Sequence, residues 1–174
     1  MIYLQKDDIV IRSMKSDEPG IIFEEFLSQG WHPKYAVYET YYQEQQQQQR
    51  QVFVAEYQGN IAGYTTMCPF AKEGPFANQK IPEVCDFNVF ERFREKGIGN
   101  LILDAAEAEA AKKSDKICLG VGLHHGYGSA QRMYIKRGYV PDGSGVWYQN
   151  RRLEQYHDCR NDDDLVLYLC KRLR

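Results

Sequence analysis

Residues 94–100 read REKGIGN and stand between an apolar-leaning run, VCDFNV, and a helical one, NLILDAAEAEAAKK. Two glycines flanked by cations, where a strand hands over to a helix, restrict the fold more than any other stretch. They predict a strand-turn-helix unit whose helix begins with unpaired N–H groups available to an anion. Gly97 and Gly99 permit close backbone approach and positive φ, while Arg94 and Lys96 add charge. Two phosphate-binding designs do not fit. A nucleotide-hydrolysing loop needs GxxxxGK followed by Ser or Thr, but here the lysine precedes the glycine and no hydroxyl follows. A dinucleotide loop needs a third glycine at position 102, which is Ile102, and an acid ending the next strand, KICLGVGL, which has none.

The surrounding pattern predicts an α/β chain. DIVIRSM has strand alternation, and SDEPGIIFEEFLSQG reads as a helix with an acidic first turn and a closing glycine. In WHPKYAVYETYYQEQQQQQRQ, tyrosines 35, 38, 41 and 42 recur at helical spacing and give one aromatic face; the glutamine run after them reads as a solvated last turn and loop. QVFVAEY and IAGYTTM form a hairpin about QGN, with Gly59 and Asn60 supplying positive φ. A polar loop, CPFAKEGPFANQK, precedes the strand EVCDFNV. After the glycine loop come a helix to about Lys113, the strand KICLGVGL, a helix SAQRMYIKR closed by Gly138, a strand beginning YV, a charged loop and a last strand, LVLYLC. Strands first dominate and then alternate with helices, which predicts helices on a mixed sheet. The length suits one domain over residues 1–174.

Composition narrows the function. With 22 basic and 24 acidic residues interspersed, the formal charge is −2, which argues against nucleic acid as partner. The start, MIYLQKDDIVIRSM, lacks a basic region followed by an apolar one, and no apolar run approaches the ~20 residues that span a bilayer. The expectation is a cytoplasmic protein with no membrane partner. The cysteines, Cys68, Cys85, Cys118, Cys159 and Cys170, include no CxxC and read as reduced structural thiols. His124 and His125 are neighbours in the chain and point oppositely on a strand, so they do not share an ion; no metal is expected.

The pattern R-x-x-G-x-G at Arg94, Gly97 and Gly99, within FNVFERFREKGIGNLIL, resembles the coenzyme A binding motif of the Gcn5-related N-acetyltransferase (GNAT) family. A second motif follows: SAQRMYIKRGY resembles that family's helix with an alanine, a tyrosine four later, then lysine, glycine and an aromatic. The resemblance extends to the order of elements over nearly the whole chain. It implies a sheet splayed at the strand before the loop, and acetyl-CoA as co-substrate. It places the pyrophosphate on Arg94, Glu95, Lys96, Gly97, Ile98, Gly99 and Asn100, and the pantetheine arm along Phe87, Asn88 and Val89. An amine then attacks the thioester directly, so the protein must present a neutral amine and protonate the leaving thiolate.

The same resemblance makes Tyr134 the acid, an ordinary phenol pKa of ~10 lying close enough to a thiol's ~8.5 for donation; otherwise Tyr134 is a core ring beside Ala130, Met133 and Arg137. For the base it points to Glu83, six before Val89 and on its face by strand alternation, and secondarily to Asp86, on the other face with Val84 and Asn88. A water chain is the further option. Two positions depart from the family: Gly122 stands where N-terminal acetylating members carry a glutamate, and Tyr127 where an asparagine often steadies the pantetheine. An aromatic wall from Trp31, Tyr35, Tyr38, Phe70 and Phe76 is expected around an amine acceptor, which is a small molecule or a peptide. A homodimer is compatible with the family. The rival expectation is a catalytically silent acyl-CoA-binding or sensing module.

Overall fold

The computed structural model describes residues 1–173. Contacts gather the chain into two compact units, residues 1–68 with 85–109, and residues 69–84 with 110–174.

In the first unit, β1 (Ile2–Lys6), β2 (Ile9–Arg12), β3 (Gln51–Tyr57) and β4 (Asn60–Cys68) pair in order as antiparallel neighbours. β5 (Glu83–Val89) is next to β4 in the sheet and carries Cys85 to Val89 into this unit. The hairpin between β3 and β4 forms where the sequence predicts it, but the positive φ falls on Gln58 (50°) and Gly59 (78°), while Asn60 opens β4. Both central residues of that turn are left-handed, the geometry that matches strand twist.

The helix α1 (Glu18–Ser28) starts with Pro19 in its first turn and buries Ile22 and Phe26 at the spacing of one helical face. Burying each of those side chains contributes about 2 kcal/mol. Gly30, at φ 78°, turns the chain out of the helix. Glu18 is also buried, because Arg12 donates to it from Nη1 at 3.0 Å and to Glu56 from Nη2 at 2.7 Å.

In α2 (Tyr35–Gln46) only Tyr38 of the aromatic face is buried. The glutamine run is not uniformly solvated. Gln45 exchanges two 2.9 Å hydrogen bonds with the backbone of Met14, as a strand residue would, which ties α2 to the segment before α1.

In the second unit, β6 (Lys116–Gly122), β9 (Leu165–Arg172), β7 (Val140–Tyr148) and β8 (Arg151–Arg152) pair in that order, all antiparallel. β5 joins β6 in parallel through Glu83 with Cys118 and Val84 with Leu119, and the pairing stops there, at the first two residues of the strand. The sheet is therefore mixed, as the order of motifs predicts, and its parallel contact is short.

The segment read as a polar loop contributes Ala71, Phe76 and Ile81 to a core with Cys118 and Tyr168. Two strands were not legible: β1, whose IYLQK has little apolar alternation, and β8, a pair of arginines after a turn in which Gln149 and Asn150 both take positive φ. The remaining helices are α3 (Ile98–Ala111) and α4 (Gly128–Lys136).

Candidate active site

The loop of residues 94–100 lies in the first unit and leads into α3. Phe90 and Phe93 are buried beneath the approach to it, and Ile98 is buried at the helix start, so the exposed stretch between them is pinned at both ends. Glu95 (φ 64°) and Gly97 (φ 78°) are left-handed. A Cβ at Gly97 would meet nothing within 4 Å, so glycine is required there by backbone conformation and not by space. The Gly97 carbonyl accepts from Asn100 N at 3.1 Å and Leu101 N at 3.3 Å, closing the first turn. The amides of Ile98 and Gly99 precede any carbonyl one turn back, the arrangement that attracts an anion. Arg94 bends back to donate from Nε to Val89 O at 3.3 Å, and Lys96 Nζ stands 5.7 Å from the centre of the Tyr57 ring.

Eight residues upstream of Arg94, in β5, the strand alternation used to place Glu83 and Asp86 fails. Asp86 has φ 47°, which interrupts the pleat and shifts the facing of residues on either side of it. Val84 is buried, whereas Asp86 keeps solvent access and receives Asn88 Nδ2 on Oδ1 at 2.8 Å. Its Oδ2 accepts from Tyr64 OH at 2.7 Å and Tyr41 OH at 3.0 Å. Tyr38 adds a third ring, edge-on to Tyr64 at 6.1 Å and to Tyr41 at 6.3 Å.

Water can touch Asp86, but so many heavy atoms surround its carboxyl that desolvation raises its pKa. Hydrogen bonds from Tyr64, Tyr41 and Asn88 and the charge of Arg50 oppose the rise. Tyr38 is pushed up to about 12, by burial first and then by the Asp86 charge; burial also drives Tyr41 and Tyr64 upward. All three phenols therefore stay protonated, Tyr41 and Tyr64 act as donors, and Asp86 is the group of the cluster that gains and loses a proton.

Arg50 lies over the Tyr41 ring at 4.7 Å and donates to Thr66 Oγ1 at 2.8 Å. Gly63 lets β4 approach this part of β5: a Cβ there would lie 2.4 Å from the Asn88 carbonyl oxygen and 2.9 Å from Val89 Cα. Phe90 N donates to Ala62 O at 3.0 Å just beyond. Phe87, Asn88 and Val89 all lie outside the short ladder that β5 makes with β6.

The second unit holds the other predicted residues. Glu83 pairs with Cys118 in the parallel ladder, and its charge helps push the Cys118 thiol up after burial has done most of that. Tyr134 is buried on α4, its ring 5.7 Å from Tyr139, and burial raises its pKa, with Tyr127 adding to the rise. Gln131, one turn earlier on α4, donates to Gly122 O at 2.8 Å and fastens the helix to the end of β6.

Tyr127 packs its ring over Gly122, where a Cβ would come within 2.3 Å of Cε2. A side chain at position 122 would require this ring to move. Tyr127 OH donates to Asp163 Oδ1 at 2.9 Å, and His124 Nε2 lies 3.1 Å from the same oxygen. His124 Nδ1 accepts from Gly126 N at 3.1 Å, so the ring proton sits on Nε2 and faces Asp163. The hydrogen bonds from His124 and Tyr127 hold the Asp163 pKa below the usual carboxylate range.

The sequence placed Asp86 second to Glu83 and did not pair it with Tyr41 or Tyr64, nor Tyr127 with Asp163. Tyr38 and Tyr41, three apart on a helix, were the visible half of the Asp86 cluster. Of the expected aromatic wall, Tyr38 is in this cluster and buried. Trp31 and Tyr35 are exposed, and in the second unit Phe76 is core against Tyr168 at 6.3 Å while Phe70 is exposed.

The model of the acetyltransferase (GNAT) domain matches residues 13–150. An uncharacterised N-acetyltransferase of Chlorobaculum tepidum is 33% identical over 78 residues, 45% of this chain and 46% of that protein, so the match spans about half the length of that curated relative. An N-acetyltransferase structure from Staphylococcus aureus superposes with a TM-score of 0.72 at 17% identity, covering 97% of this chain and 100% of that one. A GNAT family acetyltransferase from Elizabethkingia anophelis, solved with acetyl-CoA bound, gives 0.63 at 19% identity and covers 96% and 99%. At such identities the two structures speak for the fold.

Proposed function

The chain belongs to the GNAT acetyltransferases, and from that premise we propose that it moves the acetyl group of acetyl-CoA onto a primary amine by direct attack. The observation that carries the acceptor side is Asp86, a carboxyl open to solvent whose Oδ2 accepts from two tyrosine hydroxyls and whose proton affinity is raised.

A cationic amine is drawn to the Asp86 carboxylate and its rings, and gives up a proton to it. The neutral nitrogen attacks the thioester carbonyl, so that a C–N bond forms as the C–S bond breaks. The departing thiolate takes a proton from Tyr134, the role the second motif implies. Burial raises the Tyr134 pKa further above the thiol's, which keeps the phenol protonated as a donor to the sulfur and makes full proton transfer the harder step. The amides that open α3, with Arg94 and Lys96, take the pyrophosphate, and the backbone of Phe87, Asn88 and Val89 takes the pantetheine amides. Tyr127, fixed by Asp163, stands in for the asparagine of other members.

A small-molecule or peptide amine fits this reading, since one carboxylate among aromatic rings recognises an ammonium group and little else. The test is a panel of polyamines, amino acids and short peptides incubated with acetyl-CoA while free thiol is followed against pH. The rate should rise with pH through the raised pKa of Asp86, and the acidic limb should flatten in Asp86→Asn. An amine-stimulated rate with the same acidic limb in both proteins would remove Asp86 from the proton transfer.

A further inference from the structure

Cys68 closes β4 and Cys85 lies near the start of β5, and their sulfurs are 3.9 Å apart, too far for a bond and near enough to reach one by modest side-chain rotation. Both belong to the first unit. Arg50 is within electrostatic reach of both sulfurs, so that a negative charge on either would hold its guanidinium proton more firmly. The thiolate is the form that reacts with oxidants, and Arg50 is the cation that would face it. The two differ in access: Cys85 is partly exposed, whereas Cys68 is buried. That pairing, one reachable sulfur backed by one sheltered sulfur, is what an oxidisable dithiol requires.

We propose that Cys85 and Cys68 form a peroxide-reactive dithiol that closes to a disulfide beside Asp86. The Cys85 thiolate attacks one oxygen of hydrogen peroxide, releasing hydroxide and leaving a sulfenic acid. The Cys68 thiol then displaces that hydroxyl as water. Two thiols lose two electrons and two protons, and one peroxide becomes two waters. A thiol reductant reverses the bond.

Cys85 immediately precedes the left-handed Asp86, and its carbonyl accepts from Thr65 Oγ1 at 3.1 Å and Thr66 Oγ1 at 3.2 Å. Closing the gap from 3.9 Å to a bond of ~2 Å pulls on the peptide that these hydrogen bonds hold and from which Asp86 projects. A second cysteine pair, Cys118 and Cys170, faces across β6 and β9 in register. There Cys118 is fully buried, its thiol directed at Pro82 O at 3.5 Å, and burial pushes both thiols up. That pair should stay reduced.

The test uses a Cys159→Ser background, which removes the exposed thiol. The folded protein is exposed to hydrogen peroxide, quenched, alkylated under denaturing conditions and digested. The proposal predicts two fewer alkylated thiols, a cross-linked peptide pair containing Cys68 and Cys85, and recovery of both thiols with dithiothreitol. Cys68→Ser and Cys85→Ser should each abolish the cross-link, and acetylated product, read by mass, should fall at least five-fold in the oxidised protein and return on reduction. A cross-link between Cys118 and Cys170, stepwise oxidation of Cys85 without a cross-link, or unchanged thiols would overturn the dithiol. A cross-link that leaves product formation untouched would overturn its link to Asp86. Because the cross-link is read without any acceptor, its absence is distinguishable from an error in the proposed acetyl transfer.

Discussion

Asp86 combines a backbone conformation that non-glycine residues seldom adopt with a carboxyl whose ionisation is opposed by its surroundings. Its folded pKa lies above its unfolded value, so ionisation costs the folded state stability, a cost that is absent at low pH and grows as pH rises through the unfolded value. Removing the charge should not destabilise the protein. Asp86→Asn is expected to melt at the same temperature or higher while kcat/KM falls at least ten-fold, checked by calorimetry beside steady-state kinetics. Equal loss of stability and activity would mean that Asp86 serves the fold. Tyr134→Phe removes one hydroxyl from a ring packed on Tyr139. Titration of acetyl-CoA should be unchanged while kcat drops about ten-fold or more; normal turnover would take the acid role from Tyr134.

Among the elements, those with local signals were legible and those whose geometry depends on a neighbour were not. The two glycines and their cations identified the start of α3 because a left-handed Gly97 and a helix N-terminus are local properties. Gly97→Ala should therefore strain the loop without any steric clash, at a cost of about 1 kcal/mol. Isothermal titration should show acetyl-CoA binding several-fold weaker with little change in melting temperature. The Asp86 cluster was half legible. The helical spacing of Tyr38 and Tyr41 showed an aromatic face, but which carboxylate it meets is decided by the positive φ at Asp86, which a period-two reading of EVCDFNV cannot contain. The hairpin turn was located correctly and its left-handed residues one place too late, because Gln58 carries no sequence preference for that conformation. Gln45 looked like part of a solvated run because its partner is backbone, which no sequence pattern announces.

At the scale of the whole molecule, charge buried in the first unit is held as a network. Arg12 serves both Glu18, which is buried, and Glu56. Arg12→Met would leave the buried Glu18 without its cation, while Glu56 keeps only the exposed Lys15 at 3.8 Å, and should cost about 3 kcal/mol, read as an early midpoint in urea. The order of strands and helices was legible at this scale because the two family motifs fix a frame along the chain, whereas β1 and β8 fell outside any apolar pattern. The central claim is that acetyl passes from acetyl-CoA to an amine, and the most direct measurement is the mass of the amine itself. After incubation of an amine panel with acetyl-CoA and the protein, at least one member should gain a single acetyl group, with one free coenzyme A thiol formed per acetyl. Acetyl-CoA that binds and yields no acetylated amine from any member would contradict the account.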